Sequence, residues 1–216
     1  MSAGPAPVRL GTVQRWTPVA PVVPADLILR LQKYRDLARV PRAVRQVAEA
    51  VAAEASRLLV PEAVLWRGPV TEVDPAGTVT IADAHRFHSC ALARLLATAA
   101  EVYVVVLTLG EGIEARARSM LQEHLLLEGL LMDTAAWAAI ELLIRDLRRF
   151  LIDHERPDGR SVTHRLGPGH RDWPVTEQAA LLRVFGEAPL PVRVNESACM
   201  LPCKSVSGVY GIVPAA

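Results

Sequence analysis

The apolar run at residues 125–144 constrains this chain more than any other feature. It has about the twenty-residue length that crosses a bilayer as a helix, yet it carries Glu128, Asp133 and Glu141. Carboxylates are costly in hydrocarbon, so the run reads as a helix buried in a protein core. The 216 residues, 51% of them hydrophobic, suffice for one domain with a large core and are short for two.

Charge narrows the partners. Twenty-four basic and 23 acidic residues leave a formal charge of +1, which removes the electrostatic case for nucleic acid or an anionic membrane. The three cysteines, Cys90, Cys199 and Cys203, form no CxxC pair. Neither a disulfide framework nor a four-cysteine metal site is available, which fits a reduced, cytoplasmic setting with buried thiols. Residues 1–24 hold Pro5, Pro7, Pro18, Pro21 and Pro24 and read as a flexible Pro/Ala-rich tail without a secretory signal. The folded domain is expected over 25–216.

Leu27, Leu31 and Tyr34 recur at helical spacing, and after Pro41 so do Val44, Val47, Ala48, Val51 and Leu58. Residues 64–66 and 78–81 flank the turn-rich segment 74–77 and predict a hairpin. A helix is expected over 92–99, a buried β-branched strand over 102–107 and a long helical region over 112–154. Three short extended pieces then surround a helix near 176–185, and the chain closes with an extended segment at 205–213. Helices and strands mix without regular βαβ alternation, so the fold class is α+β.

Four groups of residues carry candidate chemistry. Asp133, Trp137 and Glu141 stand at i, i+4 and i+8, so two carboxylates flank an indole along one helix edge. That edge either attracts a cation or marks the solvent side of the helix. His85, His88 and Cys90 have the spacing of metal ligands on one helical turn but lack a second cluster, so no metal is assigned. The turn at Gly110 and Gly112 after the strand lacks the third glycine of a dinucleotide site. In the loop at 164–174, Gly167, Pro168 and Gly169 stand between Arg165 and Trp173. Such a backbone can approach a ligand closely, with Arg165 placed to fork onto a carboxylate, or it can be an ordinary turn.

That loop, with Arg165 followed by Pro168-Gly169, then Trp173-Pro174, Glu177-Gln178, Glu196-Ser197, Met200, Pro202 and the run 205–208, resembles the activation domain of cobalamin-dependent methionine synthase. A looser likeness begins near residue 26. The resemblance implies a curved α+β domain, a twisted antiparallel sheet flanked by helices, with the ligand on its concave side. Domains of that family bind S-adenosylmethionine and reactivate a corrinoid enzyme whose cobalt has been oxidised, using an electron from a flavodoxin-type donor. By resemblance, Arg165 holds the methionyl carboxylate, Glu141 faces the positive end of the ligand, and Gly167, Pro168 and Gly169 border the adenosyl group. Asp133, His170, Glu196 and Ser197 complete the implied set.

His170 stands where the family usually has tyrosine. The chain has no room for corrinoid, homocysteine or folate machinery, so cobalamin would be held by a partner. The expected partners are a corrinoid-binding protein or a methionine synthase lacking its own activation domain, with a flavodoxin- or ferredoxin-type electron donor. Two other readings are an interaction protein that kept the fold and lost ligand binding, and an independent S-adenosylmethionine-dependent methyltransferase.

Overall fold

The computed structural model describes residues 9–215. Seven of its strands form an antiparallel sheet, two more form a separate hairpin, and its helices flank the large sheet, as an α+β class requires. The central strands are β2 (Glu62–Val73), β5 (Glu101–Thr108) and β9 (Ser205–Pro214). Outside β2 lie β3 (Thr78–Ile81) and β4 (His85–His88); outside β9 lies β6 (Arg160–Val162). β1 (Val13–Trp16) pairs with the first half of β2, and β3 with its second half across a register shift between Val70 and Glu72. A bulge of that kind bends a strand and strengthens its twist.

Alternation along β5 sets the two faces. Val102, Val104 and Val106 enter one core with Trp66, Phe87 and Trp173, whereas Tyr103, Val105 and Leu107 face α5 (Leu126–Glu155). The first half of α5 packs on α1 (Ala25–Leu31), α2 (Arg42–Leu58) and α4 (Gly112–Gln122). Its second half places Leu147 and Leu151 on Tyr103 and Tyr210. Buried Glu155 closes this end: it accepts a hydrogen bond from Tyr103 and pairs with Arg160 at 2.7 Å and Arg67 at 3.3 Å. A buried carboxylate without those partners would cost several kcal/mol, so the network fixes where α5 stops. Among the described residues, no helix is long and apolar enough to cross a membrane.

Three expectations change. The first eight residues of the expected tail lie outside the described residues, but β1 lies within it and joins the sheet, and Val23 is buried. Trp16 anchors β1 by stacking on Phe150 of α5, with ring centroids 5.1 Å apart. The 74–77 turn joins β3 not to 64–66 but to the far end of a much longer β2, and residues 64–66 pair with β1 and β5. The thiols of Cys90, Cys199 and Cys203 are exposed rather than buried.

Candidate functional site

The site is built where β9 begins. β9 pairs along β5, and an isolated bridge ties Leu166 to Val209, so the 165–171 loop lies across the first residues of β9. Glycines permit this approach. A Cβ on Gly167 would stand 2.5 Å from the Ser207 carbonyl oxygen, and one on Gly208 would stand 2.4 Å from that of Leu166. Gly169 turns the loop at φ +88°, where side-chain-bearing residues are strained. Its N–H donates to the Trp173 carbonyl at 2.8 Å, and the His170 N–H donates to Gly167 at 3.1 Å.

Two anchors hold the far end of the loop. Trp173 is buried against Phe87, and its indole N–H donates to Glu177 at 2.7 Å. Asp172 accepts from the Ser89 hydroxyl at 2.8 Å and from the N–H groups of Cys90 (2.7 Å) and Ala91 (3.1 Å), at the start of α3 (Cys90–Leu96). These bonds favour the charged form, the Ser89 bond most, and lower the Asp172 pKa.

Arg165 is the electrostatic centre. One guanidinium nitrogen donates to the Ser207 carbonyl, while Nε is buried without a partner. Burial lowers the Arg165 pKa, against opposing contributions from Tyr210 and from Glu141 on α5. The guanidinium remains charged. It is therefore a desolvated cation with an unused donor, and an anion placed on it would relieve that cost.

Arg165 lines a cavity of about 340 Å³. Pro168 and His170 form one wall, and Cys199, Met200 and Cys203 another. The second wall comes from the hairpin β7 (Arg193–Val194) and β8 (Met200–Leu201) and the turn that follows it. Gln178 and Ser207 form the floor, joined by hydrogen bonds of 2.7 and 3.0 Å. The His170 ring lies 3.2 Å from the Gly167 carbonyl through Nδ1, so the imidazole braces its own loop.

Not every anticipated residue converges here. Arg165, Pro168 and His170 line the cavity; Gly167 and Gly169 do not, although a Cβ on Gly167 would stand 3.2 Å from Arg165 Nη1. Glu141 is exposed but close enough for its charge to act on Arg165. Asp133 lies in an adjoining groove, where Lys204 pairs with it at 2.8 Å. Glu196 and Ser197 are exposed on the hairpin turn, which the Asn195 side chain organises by accepting from the N–H groups of Ser197 and Cys199. Neither residue lines the cavity. Ala198, Cys199 and Cys203, which do, had no signal in the sequence beyond their nearness to Met200.

The other motifs resolve structurally. His85 and His88 lie on a strand rather than a helical turn, and three residues apart on a strand they point to opposite faces. Gly110 turns at φ +79° into α4, but both neighbours of β5 are antiparallel to it. A dinucleotide-type crossover is excluded there, and with it the sole sequence support for an independent methyltransferase.

No protein-family model and no curated protein sequence matches this chain. Its fold does match a crystal structure of the MetH reactivation domain bound to AdoHcy, with a TM-score of 0.58 at 16% identity. The match covers 100% of this chain and 82% of that one. The twisted antiparallel sheet with flanking helices is thus a known architecture.

Proposed function

We propose that this chain binds S-adenosylmethionine in the Arg165 cavity and assists reductive methylation of a corrinoid carried by a partner, in the service of methionine synthesis. The observation that carries the reading is the desolvated guanidinium with its orphaned Nε, set behind glycines that leave no room for a Cβ. An amino-acid carboxylate supplies the missing acceptor. Glu141, whose charge acts on Arg165, offers a negative charge to a sulfonium or ammonium. Support also comes from the motif order between residues 165 and 208 and from a fold shared along the whole chain with a domain bound to AdoHcy.

The residues present fit such a ligand. Arg165 would take the carboxylate, the backbone around Gly167, Pro168 and Gly169 would border the nucleoside, and His170 with Met200 would close the sides. S-adenosylmethionine supplies an electrophilic methyl group when bound. The contribution of this chain is to hold the ligand in one orientation, which turns a chance encounter into a positioned one. Asp133 is assigned a conditional role, because a ligand cation must compete with Lys204 for it.

Calorimetric titration with S-adenosylmethionine tests the reading, paired with thermal unfolding. Ligand at a hundred times its Kd should stabilise the native state by about 2.7 kcal/mol. A flat titration and an unmoved Tm at millimolar ligand would leave only the interaction-protein alternative.

A further inference from the structure

A larger cleft, of about 620 Å³, lies against the same loop, bordered by Leu166 rather than Arg165. Its lining includes Arg94 from α3, Arg148 from α5, and His164 and Arg171 from the chain between β6 and Trp173. No lining residue is acidic. In a chain whose formal charge is only +1, three guanidinium groups around one cleft are a marked concentration.

Some surface arginines are balanced by acids, as Arg116 is by Glu54 at 2.7 Å, while others such as Arg118 and Arg193 stand apart on the surface; what sets this cleft apart is the convergence of three guanidinium groups on one concavity. Among the described residues, Arg94, Arg148 and Arg171 have no ion-pair partner. The nearest acid in sequence, Asp172, has both oxygens engaged at the start of α3. Two of the arginines are also held in place. Arg148 donates to the carbonyls of Thr163 at 3.0 Å and Val162 at 3.2 Å, and Arg94 donates to that of Cys90 at 3.1 Å. Arg171 is presented from a left-handed backbone, φ +54°. Cations of one sign around a concave, partly apolar wall, two of them held in place, focus potential into the cleft.

We propose that this cleft binds the phosphate group of a small anionic metabolite. Planar guanidinium forks match phosphate oxygens in pairs, and the cleft's volume lies in the range of small-molecule sites. Half-buried Leu95 offers an apolar surface beside the charges, which suits a phosphate carried on an organic group. The site is separate from the Arg165 cavity and does not depend on what that cavity binds.

The test is calorimetric titration of the full chain, without S-adenosylmethionine, using inorganic pyrophosphate and adenosine diphosphate in turn. Saturable binding is expected, weakening as salt rises. Arg94→Gln with Arg171→Gln should reduce affinity about tenfold or more, Arg94→Lys should lose part of it because an ammonium keeps the charge without the planar fork, and Arg118→Gln, at a different groove, should lose none. Tighter binding of the nucleotide than of pyrophosphate would identify an organic phosphate as the ligand; equal binding would identify the phosphate group alone. Absence of saturation by either anion at ten millimolar would overturn the proposal, as would equal affinity in a folded double variant.

Discussion

Arg165→Met separates binding from stability. Methionine replaces the aliphatic stem but removes the charge and the donors. In the ligand-free protein the loss is one charge-assisted hydrogen bond, to the Ser207 carbonyl, worth about 1.5–3 kcal/mol. Against it stands the removal of a desolvated cation whose Nε has no acceptor. The two effects oppose, so unfolding free energy should change by no more than about 1 kcal/mol, or about 4 °C in Tm. With ligand the balance differs. Removing one partner of a buried charge pair costs about 2–5 kcal/mol, so S-adenosylmethionine affinity should fall about thirtyfold or more. Urea unfolding and calorimetry on the same preparation read both quantities. A folded variant that binds within about threefold of wild type would refute the assigned role of Arg165. A fall in Tm of more than about 10 °C would instead make the guanidinium a structural group.

Three further expectations follow from the geometry. Gly167→Ala should destabilise the protein by about 1–3 kcal/mol and weaken ligand binding, because its Cβ would stand 2.5 Å from the Ser207 carbonyl oxygen and 3.2 Å from Arg165 Nη1; an unchanged urea midpoint would contradict that. Asp172→Ala should lower stability at neutral pH. Its folded pKa is depressed, so the contribution is present above the unfolded value near 3.9 and is lost as pH falls through the lower folded value. The gap between variant and wild type in urea unfolding should therefore close in strong acid, and a constant gap would be the contrary result. His85 has its pKa lowered by burial and then by Arg183. The unfolded chain takes the proton first, so stability should decline as pH drops below about 6.5, and His85→Gln should flatten that slope; identical slopes in both proteins would exclude it.

The legible parts of this fold are those whose burial pattern is complete within one segment. β5 is β-branched and buried on both faces, and α5 is apolar over most of its circumference, so each announces itself. β1 does not: only Gln14 and Trp16 are even half-covered, and its stability comes from pairing with β2 and from Phe150, far along the chain. β4 has one buried residue, Phe87, between two polar ones, too little to distinguish a strand from a helical turn. The candidate site divides the same way. Arg165, Pro168 and His170 share a loop whose glycines and proline are visible as a turn. Cys199 and Cys203 reach the cavity only because the 193–201 hairpin folds back beside β9, a contact that no local spacing encodes. Asp133 was legible as an acid on a helix edge, but its pairing with Lys204 depends on where β9 starts.

A co-crystal with S-adenosylhomocysteine, grown at saturating ligand, examines the central claim most directly. The account predicts the amino-acid carboxylate on Arg165 and the nucleoside along the glycine-bearing loop, between His170 and Met200. Clear density for the ligand elsewhere, or an unchanged cavity with Arg165 still lacking an acceptor on Nε, would contradict it.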